Sequence, residues 1–361
     1  MSTRKEAVIV GAGAGGLRAA GMLAASGVDV VVLEARDRIG GRLLSMSVDD
    51  GQVDLGATWF WDTEPRIVSL INEAGFAPFP QHSAGDMVFQ QSRDSVQRLD
   101  GNQLDSPSGR LPLGMASVTE HLAATLDLGT IELGTEVRSI VLDEENRVTV
   151  ATEEATWSAR HVILAVPPSL AMARIDFGGQ LEDRVGHLAR ATPVWMGSMV
   201  KAVAVFERPF WREQGLAGAA FSYTGPMREI HDMSGRAGTP AALFGFCALE
   251  PGTPAPTEAQ VVAQLVELFG SSAATPTSVF IVDWRAEEFT SPPNVEQLTN
   301  YQTYGHPVFA RPAMMGRLHW ASTETSPVAP GHIEGALAAA DRAAEAVLSA
   351  LRKPRSTNEE S

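Results

Sequence analysis

Hydrophobic positions along this chain fall into two patterns. In the first, short apolar runs stand between turn residues, at 7–10, 28–33 (interrupted by Asp29) and 161–165 (opened by His161). Runs of that length without alternation suit strands buried on both faces of a parallel sheet. In the second, apolar residues recur at the helical period. Ile333, Leu337, Ala340, Ala344, Val347 and Leu351 keep that spacing and predict a helix over 331–351 with one buried face. Further helices are predicted over 64–74, 115–126 and 258–269, the last led in by the loop PGTPAPTE. Strands are predicted at 130–133, 200–206, 241–249, 278–284 and 318–321, with a hairpin from 136–143 and 147–152. Residues 81–110 are polar and rich in Gly, Ser and Gln, and QRLDGNQ at 97–103 reads as a hairpin turn. No segment repeats another.

The junction between the first two runs carries chemistry. The strand at 7–10 enters Gly11-Ala12-Gly13-Ala14-Gly15-Gly16, an Ala/Leu-rich helix follows as far as Gly27, and the second strand ends on Glu34. In this βαβ unit Gly11 suits a tight turn, Gly13 lets a pyrophosphate approach the backbone, and Gly16 lets helix and strand pack closely. The helix amides from Gly15 onward face the phosphates. A carboxylate at the tip of the second strand accepts ribose hydroxyls and repels a 2′-phosphate, which argues against NADP and leaves FAD or NAD. In Arg36-Asp37-Arg38-Ile39-Gly40-Gly41-Arg42 a second Gly pair suits another approach to phosphate, with Arg42 as charge partner. The small residues Gly56, Ala57 and Thr58 then follow a third short run and allow a flat ring system to lie against backbone.

Lys201 stands apart from the other two lysines, Lys5 and Lys353, which lie near the ends of the sequence. It interrupts the apolar strand at 200–206, where it either faces water from an edge or is buried and held by polar partners. Spacing alone admits both. Composition bounds the rest: the length suits two domains of ordinary size. The net charge of −15 argues against nucleic acid or anionic lipid as a partner. The single cysteine, Cys247, excludes an internal disulfide and a multi-cysteine metal site. The sequence shows no signal peptide and no apolar run of bilayer length, and it ends in a polar tail, so a cytoplasmic address without membrane is expected.

The motifs GAGAGG, VVLEARDRIGGR, DLGATWF, HVILAVPPSL, GSMVKAVAVFERPFW and HWASTETSPVAPGHIEGALAAADRAAEAV run from residue 7 to about residue 350. Together they resemble the flavin-containing amine oxidase family. The resemblance implies an α/β fold in which a Rossmann-type FAD-binding domain (1–78, 112–190 and 287–352) is interleaved with a smaller mixed α+β substrate domain (79–111 and 191–286). Residues 353–361 are expected to form a disordered tail. It implies FAD held by Gly11, Gly13, Gly15, Gly16, Glu34, Arg36, Gly41, Arg42, Gly56, Ala57 and Thr58, with the Val137 backbone at the adenine. Glu324 would touch the cofactor, and the helix beginning at Gly331 and Ile333 would aim its N-terminus at the flavin pyrimidine ring. By the same resemblance Lys201 holds a water beside flavin N5 and Trp284 lies near the ring.

Departures from the family pattern are equally informative. Where family members place two tyrosines before the flavin, this chain has His332 and, counting on from Trp284, a position at or near Asn294; Tyr301 substitutes only if that loop is shifted. His332 then becomes a candidate for hydrogen bonding or proton transfer. Pro293 stands where covalent members have cysteine, so noncovalent FAD is expected. The long helical insertion that family members carry near 81–110 is mostly missing. The expected reaction is hydride transfer from a substrate carbon, in an amine, to flavin N5, with O2 as acceptor and H2O2 as product. The alternatives are an amino acid or C–C desaturation substrate on the same fold, and a non-catalytic or partner-dependent flavoprotein. The oligomeric state is not legible.

Overall fold

The computed structural model describes residues 2–352; the tail expected at 353–361 lies outside the described residues. The chain divides into two compact units, one made of the segments up to Gly41, Thr119–Val194 and from Leu298 on, the other of Arg42–Val118 and Trp195–Gln297.

The first unit is built on a five-stranded sheet in the order Ile131–Glu132, Val30–Leu33, Ala7–Val10, His161–Leu164, Leu318–Trp320. Every pair in it is parallel. The unalternating runs read from the sequence are its centre, and Ala7, Val8, Ile9, Val32, Val162, Ile163 and Leu164 are fully buried. Helix Ala14–Ala25 connects the first two strands, and helix Ile333–Arg352 is tied to it by Arg18 Nε donating to Asp341 at 2.9 Å. A four-stranded sheet lies alongside, in the order Thr3–Arg4, Thr156–Ala159, Val148–Ala151, Ser139–Leu142. Its last two strands are the expected hairpin. Thr156–Ala159 was not expected, because only Trp157 and Ala159 of its four side chains turn inward.

The second unit holds a seven-stranded mixed sheet in the order Ser278–Asp283, Val200–Phe206, Ala241–Cys247, Glu229–Asp232, Leu216–Ser222, Asp86–Ser92, Ser95–Leu99. Helix Glu258–Phe269 begins where Thr257 caps it: Gln260 N donates to Thr257 Oγ1 at 3.3 Å, and Thr257 N donates to Gln260 Oε1 at 2.8 Å. This reciprocal box satisfies two amides that a bare helix end leaves orphaned. The helix buries Val261, Leu265, Leu268 and Phe269 with Val200, Ala202, Ala204, Leu243 and Cys247 on one sheet face. The opposite face carries Val203, Val205, Ala242 and Phe244, packed with Val53 and Leu55. That packing places residues 42–78 in the second compact unit.

One turn falls elsewhere than the sequence suggested. The hairpin closes between Ser92 and Ser95, so Gln97, Arg98 and Leu99 belong to a strand rather than to a turn. The Asp-Gly pair at 100–101 ends that strand instead, with Gly101 N donating to Asp86 Oδ1 at 3.0 Å. Between helices Pro65–Glu73 and Ala116–Ala124 the chain forms strands and loops only, as the missing insertion implied. Among the described residues no helix is long and apolar enough to cross a membrane.

Candidate active site

The glycine loop of the first unit is held open by its own sterics. Gly11 sits at φ +100°, a left-handed conformation that L side chains rarely adopt. A Cβ on Gly16 would lie 1.8 Å from Gly11 O, and one on Gly15 would lie 2.4 Å from Ala321 O. Gly13 differs: a Cβ there would meet nothing nearer than Gly40 O at 3.9 Å. The space that a side chain on Gly13 would fill is therefore clear, as close approach to the backbone requires. Gly40 N donates to Ala12 O at 2.9 Å, so the second Gly pair lies against the first loop. Gly41 is left-handed at φ +57°.

Glu34 does more than its place in the motif suggested. Its carboxylate is buried and accepts from Ala12 N at 2.7 Å and from Arg36 N at 3.0 Å, with the Arg36 guanidinium 4.0 Å away. It therefore pins the loop, and each carboxylate oxygen retains a further lone pair. Val137 and Ile333 are buried, and Glu324 is fully buried in the turn Thr323–Thr325. His332 is half-buried just before helix Ile333–Arg352. There Thr323 Oγ1 donates to His332 O at 2.8 Å and accepts from Gly331 N at 2.8 Å, fixing the entry to the helix.

In the second unit the two possibilities for Lys201 are resolved. The side chain is fully buried on the central strand Val200–Phe206, on the face opposite helix Glu258–Phe269. Its Nζ donates to Gly56 O at 2.8 Å and to Thr58 Oγ1 at 2.5 Å, and it stands 4.3 Å from the Phe244 ring centroid. Burial drives the ammonium down from the ordinary lysine value to about 7, with the nearby Arg110 acting in the same direction and Asp54 opposing. Asp54 is itself pushed up by burial, although Arg110, a hydrogen bond from Ser45 Oγ at 2.6 Å and Lys201 draw it back. Gly56 admits no side chain, since a Cβ would lie 2.0 Å from Arg42 O; Ala57 N donates to that same carbonyl at 3.1 Å. Arg42 in turn donates to Trp195 O at 3.0 Å.

Trp284 is buried with its indole N–H donated to Leu55 O at 3.2 Å, so it props up the turn that carries Gly56 and Thr58. Pro293 and Asn294 are exposed, and Asn294 is left-handed at φ +61°. Tyr301 is also exposed, edge-on to Tyr304 at 5.3 Å between ring centroids. Cys247 lies in the core on the helix-covered face, away from Lys201, and burial pushes its thiol up to about 12. It is a neutral packing residue.

The profile of flavin-containing amine oxidoreductases matches residues 14–113 and 97–348. The chain belongs to that family. Its members require a flavin, and this protein is a flavin-dependent oxidoreductase. It is 26% identical to a probable flavin-containing monoamine oxidase A of Dictyostelium discoideum, over 93% of this chain and 96% of the relative. It is 25% identical to a putrescine oxidase of Kocuria rosea over 96% and 95% of the two chains, and 25% identical to an L-amino acid dehydrogenase of Synechocystis over 97% and 96%. These alignments are longer than this chain, so the relatives carry segments that it lacks. A putrescine oxidase structure with putrescine bound superposes at a TM-score of 0.82 and 22% identity, covering 97% of this chain and 100% of that one. A cyclohexylamine oxidase from Brevibacterium oxydans gives 0.81 at 22% identity with the same coverage.

Several polar residues went unread in the sequence. Asp54 and Arg110 are both buried near Lys201 and tune its charge, but one closes a short strand and the other stands alone in a polar stretch. His231, on a strand the sequence reading did not find, is buried with Nδ1 2.7 Å from Asp105 Oδ1. Alternation in Glu229-Ile230-His231-Asp232 was the available signal, but it is too short to separate from a loop.

Proposed function

We propose that this protein oxidises an amine with noncovalently bound FAD, passing the electrons to O2 and releasing H2O2. The observation that carries the reading is the fully buried Lys201 held on Gly56 O and Thr58 Oγ1. The glycine cradle, the clear face of Gly13 and the ribose-ready Glu34 fit an adenine dinucleotide; Arg36, Arg42, Gly41, Ala57, Val137, Glu324 and Ile333 are assigned to the same cofactor. When bound, FAD supplies a hydride acceptor, and the protein supplies binding, orientation and electrostatics.

Lys201 has the means to hold or move a proton. As an ammonium it has three N–H donors, of which Gly56 O and Thr58 Oγ1 use two. As a neutral amine it spends both N–H groups there and keeps a lone pair that accepts from water or substrate. The neutral form dominates above pH 7. Flavin reduction by a saturating amine is therefore expected to rise with pH through about 7, and the step should vanish in Lys201→Met. The same shift gives a stability signature. The unfolded lysine titrates near 10.5 and the folded one near 7, so the unfolded chain binds more protons between those values. Stability contributed by Lys201 is lowest below pH 7 and rises toward pH 10.5, which thermal melts of wild type and Lys201→Met would show.

His332 is proposed to hydrogen-bond the substrate, and Trp284 to hold the Gly56 turn in place rather than to react. An amino acid substrate would need a guanidinium fork for its carboxylate. Arg285 does not offer one, since its Nε and Nη2 donate to Asp283 at 2.8 and 2.7 Å. The deciding experiment is an anaerobic panel of amines and amino acids scored by flavin bleaching, with peroxide measured on readmitting air. Bleaching by amines supports the proposal; bleaching only by amino acids, or by nothing, rejects it. The protein should also release all its flavin on acid precipitation, because neither Pro293 nor the buried Cys247 can bond it. Flavin retained in the pellet would overturn that assignment.

A further inference from the structure

On the last two strands of the five-stranded parallel sheet, two histidines meet in the core. His161 opens the strand His161–Leu164, His319 is the middle residue of Leu318–Trp320, and both are buried. Ile163 is directly opposite His319, so His161 lies on the same face as a diagonal neighbour. The two rings are 5.2 Å apart between centroids, with His161 Nδ1 3.2 Å from His319 Nε2. One ring therefore donates its N–H to the bare nitrogen of the other. Leu318–Trp320 is an edge strand of three residues with a single neighbour in the sheet, so this contact between side chains adds to a short ladder.

The charged groups that act on the pair are cations. Arg317 and Arg160 disfavour a charged His161, and Arg342, on helix Ile333–Arg352, does the same for His319. Glu6 lies 3.9 Å from Arg160, but among the described residues no carboxylate pairs with either ring. Arg342 is also a strap. Its Nη2 donates to Trp320 O at 2.8 Å and to Thr325 Oγ1 at 3.3 Å, and its Nη1 donates to Thr325 O at 3.1 Å. It thereby ties the helix to the edge strand and to the turn Thr323–Thr325. A first proton leaves the N–H···N bond in place but sets a buried imidazolium among three guanidiniums. A second makes donors of both facing nitrogens and breaks the bond.

We propose that His161 and His319 form an acid-sensitive lock, which holds the edge strand and the turn and helix after it on the sheet while both rings are neutral, and releases that segment, with the flavin, in acid. Glu324 and Ile333, both assigned to the cofactor, belong to the segment. Burial, with Arg317 and Arg160, holds His161 down at about 4 against the pull of the Gly316 carbonyl. Burial, with His161 and Arg342, holds His319 down at about 3. In the unfolded chain both rings titrate near 6.5, so below that value the unfolded chain binds more protons than the folded one. Stability contributed by the pair is therefore present above pH 6.5 and is lost as the pH falls toward 4, by up to two protons. The inference uses the cofactor assignment of Glu324 and Ile333 and is independent of the substrate.

The test compares flavin-loaded wild type with His161→Asn, His319→Gln and the double variant, whose amides hydrogen-bond but take no proton. Flavin release is followed by fluorescence after dilution, and melting temperature is measured over the same pH series. Release from wild type is expected to be at least about tenfold faster at pH 5 than at pH 7, with a parallel fall in melting temperature. Each single variant should show a shallower dependence, and the double variant a change of less than about twofold. A wild-type rate that does not change between pH 7 and 5 overturns the lock. So does wild-type pH dependence in the double variant, even if that variant melts lower at pH 7, since the rings then only pack. If the protein holds no flavin at pH 7, the cofactor assignment fails and the melting series decides alone. A fall toward pH 5 that the double variant abolishes supports the lock, and one that it keeps rejects it.

Discussion

Lys201→Met is expected to slow flavin reduction by substrate, or reoxidation by oxygen, by about 10²-fold or more, with FAD binding largely kept. Methionine matches the apolar stem of lysine and fits the packing around Phe244 and Phe246. What disappears is the nitrogen shared by Gly56 O and Thr58 Oγ1, and with it the group that changes from donor to acceptor near pH 7. Stability is a poor guide to the result. Losing a donor to buried oxygens costs about 1–3 kcal/mol, but removing a buried ammonium offsets it. Stopped-flow measurement of each half-reaction is the check. Wild-type rates in both would make Lys201 a structural residue and favour a non-catalytic flavoprotein.

The second large effect is expected at Glu34. Glu34→Ala removes the acceptor for Ala12 N and Arg36 N as well as the one proposed for the ribose. Buried amides left without partners cost about 1–3 kcal/mol each, so the apoprotein loop loosens as well as the cofactor contact. FAD should be lost on dialysis and the melting temperature should fall. Arg42→Ala is expected to weaken FAD at least as much through the pyrophosphate, without that loss of loop structure. Full flavin occupancy in both variants after dialysis would refute the cofactor assignment of these residues.

The sequence by itself determined the parallel sheet, the glycine loop and the order of the principal elements, because these are local. An unalternating run such as 161–165 is legible wherever both faces of a strand are buried. The loop glycines are legible because Gly11 and Gly16 leave no room for a Cβ, whatever lies further away. The helix near 258–269 was legible from the loop that leads into it, and in the structure Thr257 and Gln260 close a capping box within three positions at its start. Tertiary structure decided the rest. Whether Lys201 faced water depended on which strands flank it, and only the sheet order places Ala241–Cys247 and Ser278–Asp283 on its two sides. The second role of Glu34, as acceptor for Ala12 N, required the first loop to fold back over the second strand's end. Asp105, His231 and Glu229 are separated by 126 positions at their widest pairing, and each alone is an ordinary polar residue. What joins them is strand registration and a loop docked on the sheet, and no local pattern of apolar and polar residues encodes either.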